Sequence, residues 1–392
     1  MTLLQDIRIS RRTAPAFVVV GLYWGAFAAF APQLKDAADL GDAEFGIALL
    51  VGAIGAVAAM WLAPRLDALL KHHSLMVGIF MLAAAFLLPA VATSAVTFSL
   101  AMVLASGASG LLDVIMNTRV SHLEAHHNRP LMNLNHAIFS FAYALSALTA
   151  GGLREIQIVP LVVFALLGAA SLVCATQVRS DHAFREISSV SESPSPLPKA
   201  LIIVGGVIVL FGFMAEQSTE AWSALHLERR FSVGAAEGAL GPAILGITMG
   251  FGRLSGQLIV RKFAEGVVLR WAGTLAALGT AIAAWAPSSL LAYLGFGILG
   301  FGVSVVAPMA FAWVGKHVPP ALRGLAISRL AVIGYAGFFI GPPVMGFLAE
   351  NFGLPIAFSV IAVSLLTISV VLVPMLRVLA GRSPHPAPSP HT

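Results

Sequence analysis

The chain has 392 residues, of which 58% are hydrophobic and only 10% charged, and its mean hydropathy is +0.90. Soluble domains carry about 25% charged residues, so this composition excludes a water-surfaced globular protein and implies an integral membrane protein. The pI near 9.7 invites a nucleic-acid reading, but the basic residues fall between apolar segments rather than in one patch, which is the footprint of membrane orientation.

Arg8, Arg11 and Arg12 precede an apolar run, about 14–34, that is longer than a signal-peptide core, so it reads as a first, uncleaved span. A span needs about 20 apolar residues, and counting such runs gives twelve: 14–35, 44–66, 74–94, 96–121, 130–153, 156–177, 200–226, 237–260, 266–286, 288–315, 321–349 and 354–376. Outer-membrane barrels are excluded, because their strands are short and alternating. Of the 23 Lys and Arg, only Lys35, Arg154, Arg229 and Arg230 fall on one side, and the rest lie at or toward the other. The positive-inside rule then puts both termini in the cytoplasm of a multi-pass protein, in a bacterial reading of the inner membrane. Cys174 is the single cysteine, which rules out an intramolecular disulfide and a Cys-based metal site.

One polar break, RSDHAFREISSVSESPSPLPK at 179–199, separates six spans from six and reads as a flexible cytoplasmic linker. The expected organisation is a helix bundle at 1–178, the linker at 179–199, a second bundle at 200–381 and a Pro-rich tail at 382–392. Shifting the chain by 194 residues lays RPLMNLNHAIFSFA on RGLAISRLAVIGYA, so that Arg129 meets Arg323, Leu131 meets Leu325, Ala137 meets Ala331 and Ala142 meets Ala336. These stretches open the fifth and eleventh spans. Duplicated halves with a site between them near midplane are a common plan for secondary transporters.

The stretch 107–152 carries ionisable and amide groups where lipid-facing residues would otherwise stand. Asp113 and Asn117 are four apart and share one helix face, as do Asn133 and His136, three apart, on the next span. A charge inside a span costs about 2.5–3.5 kcal/mol on insertion scales, so it faces a cavity or a partner far more often than lipid.

These features together resemble the major facilitator superfamily. The family's Gly-x-x-x-Asp turn between the second and third spans survives in degraded form as Ala63, Asp67, Lys71 and His72, and a second copy, without the acid, as Gly252, Arg253, Gly256, Arg261 and Lys262. A narrower run is similar to a bacterial subgroup related to the fucose permease: Asp113, Asn117, Glu124, Arg129, Pro130, Met132 and His136, then Glu216, Glu220, Trp222 and Ser223, with Gln217 where the subgroup has Gly. The first span has Tyr23 and Trp24 but no acid, so a proton site on that helix is not expected. The resemblance implies an all-α fold of twelve spans in two pseudo-symmetric six-helix bundles.

Within it, Asp113 reads as a carboxylate that exchanges a proton as its surroundings pass between dry and wet, with Arg119 and Arg329 as candidate counter-ions and Asn117 orienting it. His136 is a candidate relay. Glu216, Gln217 and Glu220, with Trp222 and His226, read as an outward coupling or substrate site. Asn135 is the repeat partner of Arg329, which places polar groups in both halves. Tyr23 and Trp24 offer rings to stack on a sugar, although most aromatics in spans are packing or interface residues. His122, His126 and His127 read as a solvated hinge rather than a metal site. No Walker loop, zinc box or nucleophile elbow appears, so an enzyme is not expected. The expectation is a monomeric, cofactor-free, proton-coupled secondary transporter of a small polar, sugar-like solute, with an exporter of amphipathic drugs as the alternative and a non-transporting membrane sensor as the other class.

Overall fold

The computed structural model describes residues 3–178, 197–319 and 322–382, apart from the side chains of 257–261 and 382. The linker expected at 179–199 lies outside these up to residue 196, as does the tail beyond Arg382. Every regular element among the described residues is helical, as a lipid surrounding requires of a chain that must satisfy its own backbone hydrogen bonds.

A short α1 (Leu3–Ser10) precedes α2 (Ala14–Ala37), α3 (Asp42–Leu70), α4 (Ser74–Ala85), α5 (Ala95–His127), α6 (Met132–Glu155) and α7 (Pro160–Gln177). The second half holds α8 (Lys199–Phe231), the single turn α9 (Ala235–Gly238), α10 (Leu240–Lys262), α11 (Glu265–Trp285), α12 (Ser289–Val303), α13 (Val306–Lys316), α14 (Arg323–Phe352), α15 (Leu354–Thr367) and α16 (Val373–Arg382). α12 with α13, and α15 with α16, each make one expected span, broken respectively at Ser304–Val305 and by a π-turn at Ile368–Leu372. Lys71, with φ 52, separates α3 from α4. The expected His-rich hinge is instead helical: α5 continues through His127 and stops only where Asn128 turns left-handed at φ 50, ψ 47, a conformation that Asn tolerates.

The packing repeats between the halves. α2 lies on α6 as α8 lies on α14, α3 on α5 as α10 on α12, and α4 on α7 as α11 on α15. The halves meet through α6 with α10 and α3 with α14, which are again equivalent pairs. The weak repeat at 129–142 and 323–336 thus marks the two helices, α6 and α14, that pack both within and between the halves.

Small residues make these approaches possible, because lipid offers no hydrophobic drive between spans and helices gain by close backbone contact. A Cβ on Gly25 would stand 2.1 Å from the Tyr143 carbonyl oxygen on α6, and one on Gly46 would stand 2.5 Å from the Pro342 carbonyl oxygen on α14.

On the side away from the linker, charged helix ends tie the halves together. Arg229 of α8 grips Asp42 of α3 with both terminal nitrogens, at 2.7 and 2.9 Å, and Lys35 adds a contact to Asp42 at 3.2 Å. Arg154 of α6 is bidentate on Glu228 of α8, one contact being 2.9 Å. Glu350 of α14 accepts from the Ala43 N–H at 2.8 Å, and Glu155 accepts from the Ala236 N–H at 3.0 Å.

Gly25→Ala should destabilise the α2–α6 contact by about 1–3 kcal/mol, the usual cost of overpacking, whereas Gly152→Ala, whose Cβ would meet nothing within 4 Å, should be neutral. Thermal unfolding followed by size-exclusion chromatography checks this. Equal melting temperatures for the two variants would show that the helices separate freely.

Candidate functional site

A cavity of about 730 Å³ lies between the halves, within the size range of small-molecule sites. Its wall draws on α2, α3, α5, α6, α8, α10, α12, α13 and α14 and includes Met60, Asn117, Thr118, Asn133 and Pro308, which stand toward the linker side. The charged ties of α3, α6, α8 and α14 close the opposite side.

Arg253 is the residue that joins the halves at this depth. Its Nη1 donates to Ser140 Oγ at 2.5 Å and to the His136 carbonyl at 3.3 Å on α6, and its Nη2 donates to Glu216 Oε1 on α8 at 3.0 Å. The planar guanidinium suits this task, since its fixed fork of donors reaches two helices at once. Glu220 stands one turn beyond Glu216 on the same face of α8, lines the cavity, and makes no hydrogen bond or ion pair among the described residues. Gln217 lines it between them.

Across the cavity, Asn117 Nδ2 donates to Asp113 Oδ1 and to the Asp113 carbonyl, both at 2.9 Å. The i, i+4 spacing read from the sequence therefore produces the expected orienting bond. Asn117 Oδ1 is buried without a partner among the described residues. His136 lines the cavity with its ring edge-on to Phe17 at 5.4 Å. Trp24 lines it too, held by its indole N–H to Ser109 Oγ at 2.9 Å and set edge-on to Phe86 at 5.4 Å. Phe213 and Phe338, stacked at 4.7 Å, and Tyr335 complete an aromatic wall.

Asp113, Asn117, His136, Glu216, Gln217, Glu220 and Trp24 thus come together as expected. Tyr23, Asn135, Trp222 and Arg329 do not. Tyr23 is fully buried against Phe86 and Phe164. Asn135, also fully buried, donates to Ser10 Oγ at 3.0 Å and to the Leu131 carbonyl at 2.9 Å, fastening the start of α6 to α1. Trp222 packs edge-on against Phe45 at 5.3 Å and serves the contact between the halves. Arg329 is exposed and outside the cavity wall, so its pairing with Asp113 is not formed. Arg119 is taken as well: its Nη2 is 2.6 Å from Asp67 Oδ1. His226 turns away from the cavity to the Ala283 carbonyl at 3.0 Å.

Other members of the sequence run have structural work. Glu124 Oε1 accepts from the N–H groups of Leu131 and Met132 at 2.6 and 2.7 Å, satisfying donors left open where α6 begins. Arg129 meets Asp6 of α1 at 2.5 Å. Sequence reasoning missed Arg253 as a cavity residue, because it was absorbed into a loop motif. Its position inside the apolar run 237–260 was the available signal.

Comparisons with known proteins agree with this architecture. The family model described as Major Facilitator Superfamily matches residues 13–298 and 267–392. An uncharacterised MFS-type transporter of Yersinia pestis is 30% identical, over 91% of this chain and 93% of its own length. The chain therefore belongs to the major facilitator superfamily and is a transporter rather than an enzyme. Among solved structures, a D-xylose-proton symporter superposes with a TM-score of 0.74 at 13% identity, covering 95% of this chain and 97% of its own. A single-substitution variant of the E. coli fucose:proton symporter gives 0.61 at 16% identity, covering 95% and 98%. At these identities the likeness is one of fold.

Arg253→Ala should abolish transport, because it removes the bridge from α10 to α6 and leaves Glu216 without its cation. Arg329→Ala should keep at least half of the wild-type rate. Initial rates in proteoliposomes at matched protein content check the pair, and the reverse ranking would put the working cation on α14.

Proposed function

We propose that this protein is a proton-coupled secondary transporter that moves a small polar, sugar-like organic solute by alternating access, as a symporter in the cell inner membrane with both termini cytoplasmic. The observation that carries the reading is the cavity between the halves, in which Asp113 on one half and Glu216, Glu220 and Arg253 on the other face the same space. Several converging polar groups suit a hydroxylated ligand, and the ring of Trp24 suits a sugar face. The D-xylose and fucose symporters named above support the reading by fold. With the linker in the cytoplasm, the charged ties close the outer side and the cavity belongs to an inward-facing state. Under that topology, single cysteines introduced at Ser193 and Asn351 in a Cys174→Ser background react with impermeant reagents from opposite faces. Labelling of both from one face would overturn it.

Asp113 is the proposed proton carrier. Its neighbours are Asn117, which holds Oδ1, and Tyr335, close enough to interact with it electrostatically. A carboxylate that meets a wet cavity in one state and a closed wall in the other can load and release a proton with each cycle. A second reading, an exporter of amphipathic drugs, draws on the Met and Phe side of the wall, including Met60, Met102, Phe213 and Phe338.

Asp113→Asn preserves size and the bond to Asn117 while removing the titrating group. It should abolish uphill accumulation driven by a pH gradient and leave counterflow exchange within about threefold of wild type, since exchange needs no net proton movement. Proteoliposome uptake with and without the gradient reads both. Full gradient-driven accumulation by Asp113→Asn would move the proton site elsewhere, Glu220 being next.

A further inference from the structure

The cavity's arginine is committed to partners, while one of its acids is not. Arg253 gives its terminal nitrogens to Ser140 Oγ, the His136 carbonyl and Glu216 Oε1. The Trp24 indole N–H is held by Ser109, and the Asn117 amide N–H group by Asp113. Left facing the space are the Glu220 carboxylate, the remaining acceptor capacity of Asp113 and Glu216, the Asn133 and Gln217 amides and the Tyr335 hydroxyl, none of the last three making a side-chain hydrogen bond among the described residues. Asn117 Oδ1, on the same wall, is buried and unpartnered among the described residues. Counting charge gives the same answer. Glu216 and Glu220 stand one turn apart against Arg253, with the Tyr143 phenol close enough to both to interact electrostatically, and Asp113, the imidazole of His136 and the phenol of Tyr335 are the other titratable groups on the wall. A neutral sugar offers such a wall no charge to set against Glu220. A primary ammonium offers three donors, no acceptor and the missing positive charge, and it is attracted to aromatic faces such as those of Trp24 and Tyr335.

We infer that the solute carried in this cavity is a hydroxylated primary amine bound in its ammonium form, its charge met by the unpaired carboxylate of Glu220. This rests on the transport reading above and narrows its substrate class. The hydroxyls of such a solute take the Asn133 and Gln217 amides, which make no hydrogen bonds among the described residues and offer both donor and acceptor. The arrangement separates solutes that differ by one group, because a hydroxyl in place of the ammonium leaves a carboxylate in the cavity without a cation.

The test uses the full-length protein in lipid nanodiscs and calorimetric titration with matched pairs: glucosamine against glucose, galactosamine against galactose, and 1-amino-1-deoxysorbitol against sorbitol. At least one amine should bind ten times more tightly than its hydroxyl partner. Lowering the pH from 7.5 to 5.5 should weaken the amine and spare the neutral partner, because protons compete with the ammonium for Glu220, whereas the coupling proton sits on Asp113. Glu220→Gln should reduce the preference to less than threefold while keeping a wild-type size-exclusion profile. Should that variant not fold, the pH competition in the wild type decides the question. Equal or tighter binding of the hydroxyl member overturns the inference and leaves the transport reading standing, since a neutral polyol is then the ligand. Failure of every compound in the panel to bind overturns the small-polar-solute reading and the inference with it.

Discussion

A charged side chain inside an apolar slab must meet a partner or a water-filled space, and in this protein the requirement is met across the boundary between the halves. Arg253 is carried by α10, yet two of its acceptors belong to α6 in the other half and the third to α8. The guanidinium is therefore stable only while the halves are held near one another at this depth. An element that rocks one half against the other must break or re-form these bonds, so the residue that holds the cavity wall together also registers movement of the wall.

The same logic operates at the far side. Arg229 with Asp42 and Arg154 with Glu228 sit at helix ends as part-buried bidentate pairs, in which each acid is held by a planar guanidinium. Their value is that they can open. Beneath them, Gly46 against the Pro342 carbonyl brings α3 and α14 to backbone contact. That contact fixes how the halves meet without a long side chain that would jam their motion. Close-packed small residues and ion pairs confined to the helix ends together suit a joint that must close firmly and still release.

Inside each half the packing is of a different kind. α2 against α6 and α8 against α14 are permanent contacts, and Trp24, Phe27 and Phe86 form edge-on ring contacts beside the cavity. Rings in such packing resist rotation, so the Trp24 face is presented in one orientation.

The amino-acid sequence by itself determined the membrane class, the helical content, the six-and-six division and the pairing of Asp113 with Asn117. Hydropathy and the i, i+4 spacing are local properties, and the lipid surrounding leaves helices as the outcome. It also brought Glu216, Gln217, Glu220 and His136 into view, because polar groups inside apolar runs stand out. Only the tertiary structure decided which of these polar and aromatic groups share a cavity. Asn135 and Trp222 look as functional in the sequence as Asn117 and Trp24, yet one fastens α6 to α1 and the other packs against Phe45. Arg253 and Arg329 are both arginines within apolar spans. Which of them faces Glu216 depends on how α10 is rotated against α6 and α8, and that rotation is set by contacts between residues more than a hundred positions apart, such as Arg253 with Ser140, which no local pattern encodes.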